Sequence, residues 1–416
     1  MTTVELCRMG HAMPRSAQRL PSLQQLRVFD AVAACGSFST AAKAIHLSQP
    51  SVTLAIRHLE QKIGVPLLDR SRTGCYPNSA GAILLSRTRR MLDQIRQALC
   101  EPIIGQPFVD ATVVATLSRK ITDAHVRSLI AISESVSFDE AARKVAIAEP
   151  SLHRSVRTLE RILHRTLYRR TAQGYTTTPT ATELARRLKV AIREIEYGMD
   201  EVHAERGLFA SRIVIGNIPH SDAHLLSAAI NDLLTTFPHA SVDILDGHYN
   251  DLLNALRHGS IDIVYGVLRR PKWALDVEER FLFSNRYAVV ARHDHPIHKQ
   301  RTITVSDLAR YDWIMPPLGT PRRRAFEQLF HDQKVKVSVE TTSMGVYRSM
   351  LSTSDRLSLV SHREVEKDPT ARLATLHYDS PQLQRHDGIA TRRDWQPTRL
   401  HVEFIERLSM LSKTDR

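Results

Sequence analysis

Ser37-Phe38…Ala41-Ala42…Pro50-Ser51…Arg57…Leu59-Glu60…Leu67…Arg70…Gly74 returns, without a gap, as Ser137-Phe138…Ala141-Ala142…Pro150-Ser151…Arg157…Leu159-Glu160…Leu167…Arg170…Gly174. Every matched position is shifted by 100 residues. Two copies are too few for a stacked solenoid, which needs at least about three repeats. The pattern therefore reads as one compact unit present twice, and what that unit is decides the N-terminal half of the chain.

In the first copy, Leu23, Leu26, Phe29 and Ala33 keep helical spacing, and Gly36 supplies a helix stop. A second helix is expected from about Ser39 to Ile45, its Ala41-Ala42 pair allowing close approach of a neighbour. After the Leu47-Ser48 turn, Ser48 is an N-cap and Pro50 falls in the first turn of a third helix, from about Gln49 to Ile63. Its stripe Val52, Ile56, Leu59, Ile63 is apolar at helical spacing and faces inward. Gln49, Ser51, Thr53 and Arg57 then lie on the outer side, near the N-terminus of the helix. Short polar tips followed by a cation suit base edges and phosphates in a DNA major groove. Leu67-Leu68, Arg70, Arg72 and Gly74 read as a short basic two-stranded wing.

Charge supports a polyanion partner. Of the formal net charge of +13, residues 1–100 carry +8, 101–200 carry +3 and the remainder +2. A basic half joined to a near-neutral half implies nucleic acid for the first and another task for the second.

The run Leu26-Arg27-Val28-Phe29…Gly36-Ser37-Phe38…Leu47-Ser48-Gln49-Pro50-Ser51-Val52-Thr53…Gly64-Val65-Pro66-Leu67-Leu68…Arg70 resembles the winged helix-turn-helix of LysR-type transcriptional regulators. The resemblance implies DNA contact by Ser48, Gln49, Pro50, Ser51, Thr53, Arg57, Arg70 and Arg72. It also implies a long linker helix after Asn78, with Ile83, Leu84, Met91, Leu92, Ile95 and Leu99 as its apolar positions, that pairs two subunits.

The second copy keeps the core positions Val126, Leu129, Ile132, Phe138, Val145, Leu152, Val156 and Leu159 but alters the surface. Gln49 is matched by Glu149, Thr53 by His153, Leu54 by Arg154 and Gly64 by His164. A carboxylate repels phosphate, though it can accept from cytosine. Ser151, His153, Arg154, Arg157 and Arg170 remain for DNA. Two roles stay open for this copy: DNA contact, or dimerisation and spacing.

From Arg212 the pattern changes to strands alternating with helices: Ile213-Val214-Ile215-Gly216, a helix at about 224–236, Val242–Leu245, a helix at Asp251–His258 and Ile261–Val264. That alternation predicts a parallel α/β sheet, whose ligands sit beyond the C-terminal strand ends. Gly216, Phe237-Pro238, Leu256…Gly259…Ile261-Asp262 and His295-Pro296 resemble the two-lobed, periplasmic-binding-protein-like effector domain of the same family. In such domains a small molecule, often a carboxylate, lies between the lobes. The loops expected to line that cleft offer Asn217, His220, Ser221, Tyr265, Thr320, Ser343 and Ser361. Arg322-Arg323-Arg324, at a helix start, is open to three readings: it draws in an anion, it touches DNA, or, the preferred one, it is a solvated charge run.

The expected fold is thus multi-domain: two winged helix-turn-helix domains, then a two-lobed α/β effector domain. Its parts are a flexible tail (1–20), winged helix-turn-helix 1 (21–80), linker helix 1 (81–100), a connector (101–120), winged helix-turn-helix 2 (121–180), linker helix 2 (181–206) and the effector domain (210–411). Lobe I takes about 212–284 and 385–411, lobe II about 286–384. The implied protein is a DNA-binding transcriptional regulator, homodimeric or homotetrameric, controlled by a small-molecule effector. The alternative is an architectural DNA binder whose C-terminal half serves oligomerisation.

The chain offers no P-loop, GxSxG, HExxH or dinucleotide fingerprint, and catalysis is not expected. Cys7, Cys35, Cys75 and Cys100 have no zinc-type spacing, and no metal or cofactor is expected. No run of 18 apolar residues and no signal-peptide pattern is found, so a cytoplasmic setting without membrane contact is expected.

Overall fold

The structure is a computed structural model that describes residues 20–71, 74–100, 111–172, 174–205, 211–271, 273–366 and 372–414. The expected tail before Leu20, the wing residue Arg72 and the first part of the connector lie outside the described residues. The chain divides into two compact units at Ser211/Arg212.

The first unit contains the same element order twice. Helices α1 (Leu23–Cys35), α2 (Phe38–Ala44) and α3 (Gln49–Ile63) precede the antiparallel wing β1 (Leu68–Ser71) and β2 (Gly74–Pro77) and helix α4 (Ser79–Cys100). After helix α5 (Ala111–Lys120) come α6 (Asp123–Ser133), α7 (Phe138–Val145), α8 (Glu149–Leu163), the wing β3 (Tyr168–Thr171) and β4 (Gly174–Thr177), and α9 (Pro179–Glu205). Local chemistry sets the boundaries. Ser22 and Gln25 form a capping box on α1, and Ser48 caps α3 by accepting from the Ser51 N–H. Gly36 and Gly64 end these helices in the left-handed conformation. In both copies a glutamate, Glu60 or Glu160, accepts from the backbone N–H of Leu67 or Leu167 at 2.8 Å and ties the third helix to the wing.

Helix α5 falls within the second half of the expected connector, 101–120. Its carbonyl end is held from afar: the Arg27 guanidinium donates to the carbonyl oxygens of Ser118 (2.6 Å), Ile121 (3.1 Å) and Arg119 (3.3 Å). A cation there satisfies orphan carbonyls and complements the helix dipole. No local pattern reveals a partner more than 90 residues away.

The second unit is built on a mixed sheet. Strands β5 (Arg212–Asn217), β6 (Ser241–Asp246) and β7 (Ile263–Val267) are parallel, as expected. Helices α10 (Ala223–Thr236) and α16 (Arg399–Thr414) cover one face through Leu226, Ile230, Phe404 and Leu408. Helix α11 (Tyr249–Arg257) covers the other through Leu252, Leu253 and Leu256.

Strand β8 spans 16 residues, Val277–Arg292. It pairs antiparallel with β13 (Gln384–Arg392) in lobe I and with β11 (Ser358–Ser361) in lobe II. The full order is β11-β8-β13-β7-β5-β6, with β12 (Leu373–Thr375) also on β8. The lobes therefore share a through-running strand, where the sequence suggested a break near residue 285. Lobe II adds α12 (Val305–Leu308), the parallel pair β9 (Trp313–Met315) and β10 (Val337–Glu340), α13 (Pro321–Leu329), α14 (Met344–Ser352) and α15 (His362–Glu366). Its core is built on Trp313, Phe326, Phe330 and Leu359.

Candidate DNA-binding and effector sites

Helix α3 buries Val52, Ile56, Leu59 and Ile63, which leaves Gln49, Pro50, Ser51, Thr53 and Arg57 exposed along its other side. Ser48 is exposed at the N-terminus, its hydroxyl 2.8 Å from that of Ser51. Thr53 donates to the Gln49 carbonyl oxygen at 3.0 Å, so its methyl group faces outward. The wing adds Arg70, exposed and lying over the Phe38 ring at 5.0 Å. The surface so built has helix N–H groups, small hydroxyls, an amide and two cations on one side.

The second copy departs at corresponding positions. Its helix α8 follows Ala148, which gives no side-chain cap, and is ended by His164, a non-glycine residue at φ 49°. His153 is half-buried: its ring stacks on Phe138 at 3.8 Å, lies 3.5 Å from the Tyr168 hydroxyl, and approaches Glu149 at 3.5 Å. It is engaged within its own domain, whereas Thr53 is exposed. Ser151, Arg154, Arg157 and Arg170 are exposed. Arg157 donates to Glu160 at 3.2 Å and lies over Tyr168 at 5.1 Å.

In the second unit a cleft of about 590 Å³ opens where strands β7, β8 and β13 meet helix α13. Arg269, Arg324, Arg385, Tyr287 and Phe281 line it. A smaller recess of about 50 Å³ shares Val267, Arg269, Tyr287, Pro321 and Arg385 with it and adds His220, Thr320 and Arg322. Arg269, Arg270, Arg322, Arg324 and Arg385 surround the cleft and its recess and make them strongly cationic.

Their hydrogen bonds show what is already satisfied. Arg385, 5% exposed, donates Nε and Nη2 to Asp387 at 2.9–3.0 Å and Nη1 to the His220 carbonyl oxygen at 3.2 Å. Arg322 donates to the Leu359 carbonyl oxygen at 3.1 Å and to His220 Nε2 at 2.9 Å. His220 must therefore accept through Nε2 and carry its proton on Nδ1. Burial, helped by the charges of Arg322, Arg385 and Arg348, pushes its pKa down to about 2, so the ring is neutral. Its backbone is left-handed at φ 66°, uncommon for a non-glycine residue and often found at functional sites. Among the described residues, buried His220 Nδ1 and Arg269 Nε have no hydrogen-bond partner. The Arg269 guanidinium lies over Tyr249 at 4.3 Å, and burial lowers its pKa.

Of the effector residues expected from sequence, the structure brings His220 and Thr320 to this recess. Thr320 caps α13 by accepting from the Arg323 N–H. Tyr265 is instead fully buried in the lobe I core and donates to the Asp222 carbonyl oxygen at 3.3 Å. Ser221 turns back to the Ile218 carbonyl oxygen at 2.7 Å, against Gly266, where any Cβ would come within 2.4 Å of the Ser221 hydroxyl. Asn217 donates to Asp246 at 2.7 Å. Ser361 is buried and accepts from Asn285, which also donates to Asp387. Ser343 is exposed and caps α14.

Sequence reasoning missed Arg269, Arg385 and Tyr287. A solvated charge does not fit Arg322, which is 5% exposed, whereas Arg324 is exposed where it lines the cleft. Arg323 is half-buried and paired with Glu327 and Glu340. The run Arg322–Arg324 was the available signal; helix α13 turns only its first member inward.

The LysR substrate binding domain matches residues 206–411, and the lysR-family bacterial regulatory helix-turn-helix matches residues 23–82 and again 124–182. The chain belongs to the LysR family of transcriptional regulators. It is similar to the HTH-type transcriptional regulator GalR of Pseudomonas putida, 26% identical over 90% of this chain and 93% of that protein. It is also similar to the RuBisCO operon transcriptional regulator of Allochromatium vinosum, 24% identical over 90% and 88% of the two chains. Among solved structures, a full-length OxyR variant from Pseudomonas aeruginosa aligns with a TM-score of 0.50 and 18% identity, covering 97% of that chain but 69% of this one. This LysR-family regulator thus has an N-terminal helix-turn-helix region and a C-terminal substrate-binding domain. Among its described residues no helix is long and apolar enough to cross a membrane.

Proposed function

We propose that this regulator reads operator DNA through helix α3 and its wing, and that an anionic small molecule in the cleft of the second unit controls that binding. Ser48, Gln49, Pro50, Ser51 and Thr53 meet base edges and phosphates at the start of α3, and Arg57, Arg70 and Arg72 bind phosphates. The second helix-turn-helix is a tandem duplicate of the first, and Ser151, Arg154, Arg157 and Arg170 extend the contact with His153 as their internal support. The regulator acts in the cytoplasm as a homo-oligomer and has no reaction of its own.

The observation that carries the effector reading is the pair of unpartnered buried donors, Arg269 Nε and His220 Nδ1, in one arginine-lined recess. Buried polar groups are nearly always satisfied, so these two call for an acceptor. A carboxylate supplies two acceptor oxygens and the compensating charge, with Thr320 at its edge and Tyr287 and Phe281 against an apolar part. The ligand class is therefore a carboxylate, aromatic or otherwise, and the domain is a two-lobed, periplasmic-binding-protein-like sensor.

Calorimetry of the full chain against mono-, di- and aromatic carboxylates, with inorganic phosphate as control, tests this. One carboxylate should bind and alter the footprint on operator DNA. Arg269→Ala should weaken it roughly tenfold to a hundredfold, the worth of a hydrogen bond to a charged group. Unchanged affinity in Arg269→Ala would place the ligand elsewhere.

A further inference from the structure

Helices α4 and α9 lie side by side in the first unit. Arg87 meets Glu201 at 2.8 Å, and Gln94 donates to Glu194 at 3.2 Å. Seven residues forward on one helix is seven back on the other, so the two run antiparallel. Residues 94 and 194 are equivalent positions of the two repeats. So are 23 and 123, and there the Leu23 N–H donates to Asp123 at 2.9 Å. One cavity of about 140 Å³ is lined from both sides by the equivalent pairs Leu23/Asp123, Leu26/Val126 and Ile95/Ile195. Equivalent residues meet only across a two-fold axis; a head-to-tail repeat would set each position against a different one.

The interface is built for unlike partners. Glu194, 2% exposed, receives Arg87 at 2.9 Å and Arg90 at 3.3 Å. Pairing two first copies would put Gln94 there and take that carboxylate from both arginines. Two second copies would set Glu194 against Glu194, like charges in a buried site. A Cβ on Gly198 would lie 3.1 Å from Arg87 Cβ and Cγ, and the first copy has Ala98 at that position. The mixed pair alone combines the carboxylate with the gap. Both members are on one polypeptide, and joining them through the segment after Cys100 gives the pairing a high effective concentration.

We infer that each chain closes a complete two-fold pair of DNA-binding domains within itself, so that a single polypeptide presents two unlike recognition helices and reads a two-part operator with dissimilar halves. The second clause rests on the proposed DNA contact by the second helix-turn-helix; the pairing does not. The surface through which two chains would join by these helices is already occupied from within.

Two measurements on the full chain separate these parts. In a background with Cys7, Cys35, Cys75 and Cys100 replaced by serine, Gln94→Cys with Glu194→Cys is oxidised and run under denaturing, non-reducing conditions. A disulfide in a species of single-chain mass, 47.1 kDa, is expected. A covalent dimer, or a folded chain that forms no disulfide, overturns the pairing. If the serine background does not fold, charge exchange decides. Arg87→Glu with Arg90→Glu should lower operator affinity by about tenfold or more, through the broken pairs with Glu194 and Glu201. Adding Glu194→Arg and Glu201→Arg in the same chain should restore it, whereas supplying them on a second co-expressed chain should not. Rescue in trans, or no rescue in cis, overturns the pairing. Footprinting of Arg157→Ala/Arg170→Ala then tests the reading. Loss of protection over one half of the element alone supports two dissimilar half-sites. An unchanged footprint removes the DNA contact of the second domain and leaves the internal pair standing as a spacer.

Discussion

Gln94 and Glu194 occupy the same place in two copies of one motif, and their side chains meet at 3.2 Å. Around that contact, Arg87 is 1% exposed and its three donor nitrogens are all taken by Glu194 and Glu201. Removing one partner from a buried pair strands the other. Arg87→Ala should therefore cost about 3–5 kcal/mol, whereas Arg89→Ala, which breaks the half-exposed pair with Asp30, should cost about 1 kcal/mol or less. Urea unfolding of the two variants followed by far-ultraviolet circular dichroism gives the comparison. Equal midpoints would mean that the carboxylates relax into water when the arginine leaves.

The second helix-turn-helix carries two local weaknesses that the first lacks. Helix α8 has Ala148 where α3 has Ser48, and His164 in left-handed backbone where α3 has Gly64. Ala148→Ser should add about 0.5–2 kcal/mol by capping the Ser151 N–H. His164→Gly should relieve the strain of a side chain at positive φ, and Gly64→Ala in the first copy should do the reverse. Hydrogen exchange localises these effects: slower exchange in α8 for Ala148→Ser, with α3 unchanged, is the expected result.

Much of this was legible in the sequence because it is local. The 100-residue offset, the cap at Ser48 and the stripe from Val52 to Ile63 fix α3 and its exposed face without any distant contact. The effector residues were harder, because a cleft is assembled from segments far apart. Arg269 follows β7, Arg322 opens α13 and Arg385 lies on β13, and no spacing links the three. Polar loop residues drew attention instead, and Ser221, Tyr265 and Ser361 turn out to hydrogen-bond within the scaffold. The through-running strand β8 was hidden for the same reason: a break in hydrophobic pattern at Ser284-Asn285-Arg286 marks a passage between lobes, where Asn285 bridges Ser361 and Asp387.

His220 makes the stability of the second unit depend on acidity. Its folded pKa, about 2, lies far below the ordinary value of 6.5 because it is buried among arginines. Above about pH 6.5 the ring is neutral folded or unfolded and no penalty arises. Below that the unfolded chain takes up a proton that the folded chain refuses, so stability falls with falling pH, by at most about 1.4 kcal/mol per pH unit from this residue. Between pH 7 and pH 5 the thermal midpoint of the second unit should fall further in the wild type than in His220→Gln. The same neutrality predicts that His220 adds nothing to the pH dependence of carboxylate affinity from pH 6 to 8, so wild type and His220→Gln should show profiles of the same shape. A wild-type affinity rising more steeply below pH 7 than that of His220→Gln would mean that ligand binding protonates His220.

Glu149 offers a test of whether the second domain contributes on DNA. Its position is that of Gln49 in the first copy, exposed at the start of the recognition helix, where the dipole favours negative charge but a nearby phosphate does not. Its 3.5 Å approach to His153 links it to the stack on Phe138. Glu149→Gln removes the repulsion while keeping the shape, and should tighten operator binding if α8 faces DNA. The salt dependence sharpens the test. Arg157→Ala removes a cation exposed on the same helix, and should lower the slope of log affinity against log salt by about one if that arginine neutralises a phosphate. Arg57→Ala in the first copy is the reference, for which the same loss is expected. Tighter binding in Glu149→Gln with a reduced slope in Arg157→Ala would put α8 on the DNA. No change in either, beside a clear loss for Arg57→Ala, would show that α3 reads the operator alone.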